Sequence, residues 1–182
     1  ALGDFLDSMR FRQIDVLGHR AGSLIVAELA ITRPQQVRRV VMAGVPVFTE
    51  GEREGLKRSP WPVAAAEDGS HLAAEWRRLV ETRGAGANLQ STARSVAERL
   101  HNGPNASWSV TAAAHYAVAE RLVEIKQPVL VLRPRDDLWD ATARVRELLP
   151  RARYQELPDQ GQSLFETAPE VAAAALKDFL SG

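Results

Sequence analysis

The chain has 182 residues, 45% of them hydrophobic, and 23 Lys and Arg balance 23 Asp and Glu. That length supports one domain with a real core, while the even charge offers no electrostatic footing for nucleic acid or an anionic membrane surface, which need a clustered basic excess. No cysteine is present, which excludes disulfides, thiolate metal sites and a thiol nucleophile together, and no apolar run approaches the ~20 residues of a membrane span.

Along the chain, Leu2, Phe5, Leu6 and Met9 recur at helical spacing and predict a short amphipathic helix within residues 1–12. Residues 14–18 are apolar-rich and β-prone. They run into Gly18-His19-Arg20-Ala21-Gly22 and then into a helix over 21–33, which Pro34 stops. Leu24, Ile25, Ala27, Leu29 and Ala30 make that helix apolar nearly all round, so it is expected to lie buried at the centre. The Gly18 and Gly22 pair implies a sharp turn where strand and helix backbones crowd together.

Val37–Ala43 reads as a strand covered on both faces. From about 48 to 125 the character changes to alanine-rich helical pieces, including 72–80 and 92–100. Turns are expected at Gly84-Ala85-Gly86 and Asn102-Gly103-Pro104-Asn105. A buried strand returns at 128–133, then a helix at 144–149, a last strand at Arg153–Leu157 and a C-terminal helix over 166–180 entered through Thr167 and Pro169. Strands alternating with helices predict an α/β domain, a parallel sheet with helices on both faces. His19, His71, His101 and His115 are too scattered to suggest a metal cluster. No metal and no cofactor are expected. The opening at Ala1, without methionine or leader, suggests a fragment or processed product, and a cytoplasmic location is the default expectation.

Gly18-His19-Arg20-Ala21-Gly22, between strand and helix, resembles the G-x-S-x-G nucleophile elbow of the α/β-hydrolase superfamily with the serine replaced by Arg20. Pro128-Val129-Leu130-Val131-Leu132-Arg133-Pro134-Arg135-Asp136-Asp137 is similar to the strand and turn that deliver the triad acid, placing Asp137 in that position. Leu157-Pro158-Asp159-Gln160-Gly161-Gln162 resembles the closing loop, with Gln162 where the histidine stands. The resemblance implies a core of 1–48 and 126–182, with 49–125 as a helical cap roofing a pocket. It also implies that the N-terminal strands of the family fold are lacking.

Acyl transfer on that scaffold needs a nucleophile, a base, an acid and oxyanion donors. Arg20 has no available lone pair near neutrality, and an amide at 162 moves no proton. The acid survives as Asp137, and Ala21 supplies one backbone oxyanion donor. The resemblance therefore implies a pseudo-hydrolase. Two alternatives stand beside it: an active ester or amide hydrolase completed by another chain or by a non-serine elbow, and an interaction scaffold built on the helical insertion. Ser23 reads as a small packing residue, and His19 as pointing away from the pocket. His115 and Trp139 are candidates for the pocket wall and rim.

Arg20 has two candidate partners: Asp137, across the space vacated by a histidine, or a bound carboxylate or phosphate held with the helix N–H groups. The strand at 14–17 is expected at an open sheet edge. A second copy pairing antiparallel through it, a separate chain supplying the front strands, or a rearranged N-terminal region would each cover that edge.

Overall fold

The computed structural model describes residues 1–58, 65–82, 84 and 86–181, so Ala85 of the expected Gly84-Ala85-Gly86 turn lies outside the described residues. Strands β1 (Ile14–His19), β2 (Val37–Ala43), β3 (Val129–Pro134) and β4 (Arg153–Leu157) form one sheet in that order, every pair parallel. The helices in chain order are α1 (Leu2–Ser8), α2 (Ala21–Thr32), α3 (Glu50–Arg58), α4 (Ser70–Glu81), α5 (Leu89–Asn102), α6 (Trp108–His115), α7 (Val118–Leu122), α8 (Trp139–Ala143), α9 (Val145–Leu148), α10 (Leu164–Thr167) and α11 (Pro169–Ser181).

Alternation along β2 shows why both faces of the sheet are apolar. Val40 and Met42 enter a cluster with Leu24, Ala27 and Ala30 of α2, whereas Val41 and Ala43 enter a second cluster with Leu164, Ala172 and Ala175 of α10 and α11. Ala27 and Ala30 are fully buried, and their small side chains let α2 lie close against the strands. Leu130 and Leu132 of β3 are likewise fully enclosed; truncating either to alanine is worth about 2–5 kcal/mol. Within the insertion between β2 and β3, α4 packs on α5, and Ala113, Val118 and Leu122 of α6 and α7 join the cluster around α2. Among the described residues no helix is long and apolar enough to cross a membrane, and no group of His, Asp or Glu is arranged to hold a metal ion.

Several expectations need correction. Ile25 is 58% exposed, because α2 turns the stripe of Leu24, Ala27 and Ala30 toward the sheet while Ile25 opens onto a groove of about 450 Å³ shared with Leu2, Ala113 and Tyr116. The helix expected over 166–180 is broken at Ala168, at φ −144° and ψ 56°, since a residue preceding proline is disfavoured in the helical region. The turn expected at 102–105 is a 3₁₀ helix, Gly103–Ser107, with proline in its first turn.

Candidate functional site

Gly18 stands one residue before the end of β1, where a Cβ would lie 2.3 Å from the Gly22 carbonyl oxygen, so only glycine lets strand and helix pass. A Cβ on Gly22 itself would meet nothing within 4 Å. Crowding therefore accounts for the first glycine of the pair and not, as expected, for both. Arg20 occupies the apex at φ 56° and ψ −121°, a region costing an arginine on the order of 1–3 kcal/mol unless its surroundings enforce it. The enforcing bonds come from the backbone and from Ser23. The Arg20 N–H donates to the Ala43 carbonyl at 2.8 Å, the Ser23 N–H donates to the Arg20 carbonyl at 2.9 Å, and the buried Ser23 hydroxyl donates to the Gly18 carbonyl at 3.0 Å. Ser23 is thus a lock on the turn, fully buried.

From that apex Arg20 reaches the loop after β3. Its Nη1 and Nη2 donate to the two oxygens of Asp137 at 2.7 and 2.8 Å, and Nη1 also donates to Asp136 Oδ2 at 3.1 Å. Asp136 is the deeper carboxylate, its side chain 2% exposed against 61% for Asp137, and its Oδ1 accepts the Leu138 N–H at 2.9 Å. Gly44 forms the floor at φ 61°, with a Cβ position 3.4 Å from Asp136 and 3.6 Å from the Arg20 stem; a side chain there would be strained as well as crowded.

The charges follow from this arrangement. Burial raises the Asp137 carboxyl, but hydrogen bonds and charge from Arg20 outweigh it and hold the group below its ordinary value. Burial pushes Asp136 above its ordinary value, against the opposing pull of Arg20. Burial also works against the Arg20 charge, yet the two carboxylates more than offset it and raise its pKa.

A cavity of about 860 Å³ opens over this pair, lined by Arg20 and Asp137 and, from the insertion, by Leu56, Arg78, Arg99 and His115. Arg78 donates to the buried Glu75 at 2.6 and 3.0 Å, and Arg99 lies 3.6 Å from the same carboxylate. Burial and then the nearby Arg78 charge lower the Arg99 pKa. His115 lines the cavity with its Nδ1 2.8 Å from the Thr111 carbonyl.

The remaining expected site residues lie elsewhere. Trp139 is not among the residues lining this cavity; its ring lies under the guanidinium of Arg133 at 3.8 Å and of Arg135 at 5.3 Å. Ala21 lines the smaller groove beside Leu2 and Ile25. Gln162 does not line the cavity either, and its backbone nitrogen sits 3.2 Å from where a Gly84 Cβ would be. The His19 ring packs edge-to-face with Phe165, their centroids 5.3 Å apart. Among the described residues its Nε2 is buried without a hydrogen-bond partner. Burial, reinforced by the Arg20 charge, lowers its pKa to about 4.

Sequence reasoning missed Asp136 as a partner of Arg20, although its place beside Asp137 was the available signal. Also missed was the triad of Glu28, Tyr116 and Arg121, in which Arg121 donates to Glu28 at 2.6 and 2.9 Å and the tyrosine hydroxyl donates to the same carboxylate. No sequence spacing links those three residues.

No family model matches the chain. Two proteins assigned as the carbamate hydrolase RutD are similar to it. The one from Caulobacter sp. (strain K31) is 28% identical over an alignment of 198 positions that covers 100% of this chain and 72% of that protein. The one from Pseudomonas savastanoi pv. phaseolicola is 24% identical over an alignment of 188 positions that covers 97% of this chain and 71% of that protein. Among solved structures, Est816, an N-acyl homoserine lactone degrading enzyme, superposes with a TM-score of 0.75 at 19% identity, covering 98% of this chain and 71% of that one. MGS-M2, an α/β hydrolase from a deep-sea metagenome library of the Medee basin, superposes with a TM-score of 0.65 at 18% identity, covering 100% and 70%. With its four parallel strands, helices on both faces and glycine-flanked elbow, this chain has the fold of the α/β hydrolases.

Proposed function

We propose that this chain is a non-hydrolytic member of the α/β-hydrolase fold, a pseudo-hydrolase whose elbow site is closed by an internal ion pair. The observation that carries the reading is the two-pronged grip of Arg20 on Asp137. In a working triad the acid orients a histidine and the elbow presents an oxygen nucleophile. Here the elbow side chain itself saturates the acid, with a permanently charged group that cannot attack a carbonyl. His19, the histidine next to the apex, packs its ring against Phe165 and is not among the residues lining the cavity, so it is not placed to act as a base there. Binding of a small acidic ligand by Arg20 is the weaker reading, because its guanidinium already serves two carboxylates.

An active hydrolase of ester or amide bonds is the second reading, favoured by the hydrolase names of the similar proteins. Assay of the purified chain against chromogenic esters and a carbamate separates the two. The proposal expects no rate above buffer. Turnover that copurifies with the chain and disappears in Arg20→Ala or Asp137→Asn would establish the second reading instead.

A further inference from the structure

We infer that the cavity above the Arg20–Asp137 pair binds a carboxylate ligand with an apolar body, gripped by Arg78 and Arg99 of the insertion rather than by Arg20. The inference rests on the elbow reading, because an Arg20 engaged by Asp136 and Asp137 leaves an incoming anion to other cations. Arg78 of α4 and Arg99 of α5 both line the cavity, and both approach Glu75, whose side chain is only 4% exposed. Because α4 packs on α5, the two helices bring two guanidinium groups to one buried carboxylate.

Burial and then the neighbouring Arg78 charge work against the Arg99 cation, and the pull of Glu75 does not offset them. A carboxylate entering beside Arg99 counters both effects, and the planar fork of a guanidinium matches its two oxygens. The opposite wall has the reverse sign: one guanidinium serves Asp136 and Asp137 there, and Asp140 adds a third carboxylate. Arg99 and Asp137 feel each other's charge across the cavity. Glu52 and Lys57, the other charged groups of the lining, are engaged by Arg144 and Glu54. A monoanion is therefore favoured over a phosphate, whose second charge would be repelled by the acidic wall.

Phe48, Leu56, Val110, Leu138 and Ala141 give the lining its apolar part. The volume of about 860 Å³ lies within the range of roughly 300–1,000 Å³ for small-molecule sites, which pair an apolar lining with a few placed polar groups. None of the lining groups belongs to α1 or β1. The ligand so described is a small organic monocarboxylate, its charged end at Arg99 and its hydrocarbon toward Leu138.

Isothermal titration of the whole chain with octanoate tests this. Octanoate should bind and raise the Tm, with 1-octanol and octyl phosphate each weaker by about tenfold or more. Arg99→Gln should weaken octanoate by about ten- to a hundredfold, the worth of a hydrogen bond to a charged group. It should leave 1-octanol unchanged, a split that lost packing alone would not produce. Val110 is 43% exposed, so Val110→Asp sets a carboxylate in the lining at little cost to the core. That variant should abolish octanoate binding, and it serves should Arg99→Gln fail to fold. No binding of octanoate, equal binding of 1-octanol or octyl phosphate, or an unchanged affinity in either folded variant would each overturn the inference. Ester turnover with octanoate binding intact would count against the elbow reading alone, whereas silence in both assays would count against the binding alone.

Discussion

Arg20 holds Asp137 by both terminal nitrogens of its guanidinium, at 2.7 and 2.8 Å, from the apex of a turn 117 residues away in the chain. One side chain therefore joins the β1–α2 turn to the loop after β3, and its removal strands two carboxylates of which Asp136 is nearly inaccessible.

Arg20→Ala should destabilise the fold by about 1.5–3 kcal/mol, the range for hydrogen bonds to charged groups, seen as a fall in Tm of roughly 2–4 °C per kcal/mol for a domain of this size. Arg20→Gly should cost less than Arg20→Ala even though it removes more atoms, because glycine adopts φ 56° without strain. Asp137→Asn, at an exposed partner, should cost about 1 kcal/mol or less. Differential scanning calorimetry of the three variants gives the order.

The two elbow glycines should behave oppositely. Gly18→Ala drives a Cβ to 2.3 Å from the Gly22 carbonyl, a clash with backbone that should abolish the cooperative transition or lower its midpoint severely. Gly22→Ala meets open space inside α2 and should be neutral or stabilising by up to about 1 kcal/mol, the helix preference for alanine over glycine. Urea titration followed by circular dichroism reads both.

His19 should make the fold acid-sensitive before the carboxylates do. Its pKa is depressed from 6.5 to about 4 in the folded chain, so the unfolded chain takes up a proton that the folded one refuses. Stability is full above about pH 6.5 and falls as pH drops toward about 4, whereas paired carboxylates lose their contribution only below their own unfolded values near 4. His19→Phe should flatten that part of the curve of denaturation midpoint against pH; an unchanged slope would refute the assignment.

Both tyrosines should resist ionisation while the chain is folded. Burial raises Tyr154 to about 12, and burial together with the bond to Glu28 raises Tyr116 further. Near-UV phenolate absorbance should therefore stay flat through pH 10, where the denatured chain titrates. Because the folded values are raised, the contribution is complete below about pH 10 and disappears as pH climbs past it. Tyr116→Phe should remove the later of the two folded-state steps.

Much of the fold was legible because period and punctuation agreed. β2 runs over the residues its apolar pattern marks, β4 over the expected Arg153–Leu157, and β1 leads into the elbow at the glycine that crowding requires. The exposure of Ile25 was illegible, since an apolar helix declares what it prefers to touch and not what lies beside it. The break at Ala168 was written in Pro169 and was overridden by the alanine run that follows. For the site, the spacing to Asp137 was readable from the strand before it. The burial of Asp136, by contrast, depends on Gly44 and Arg20 arriving from distant parts of the chain. The contact of the Trp139 ring with Arg133 and Arg135 could not be read from its spacing to Asp137.

The turn that carries Arg20 is secured by its own main chain, the Ala43 carbonyl and the Ser23 hydroxyl, and by none of the guanidinium's bonds. Shape and chemistry are thus uncoupled at this summit: the scaffold offers a rigid pedestal on which residue 20 can be exchanged as a module, and a designer wishing to install a new reactive group would find the geometry already set and only the load to choose.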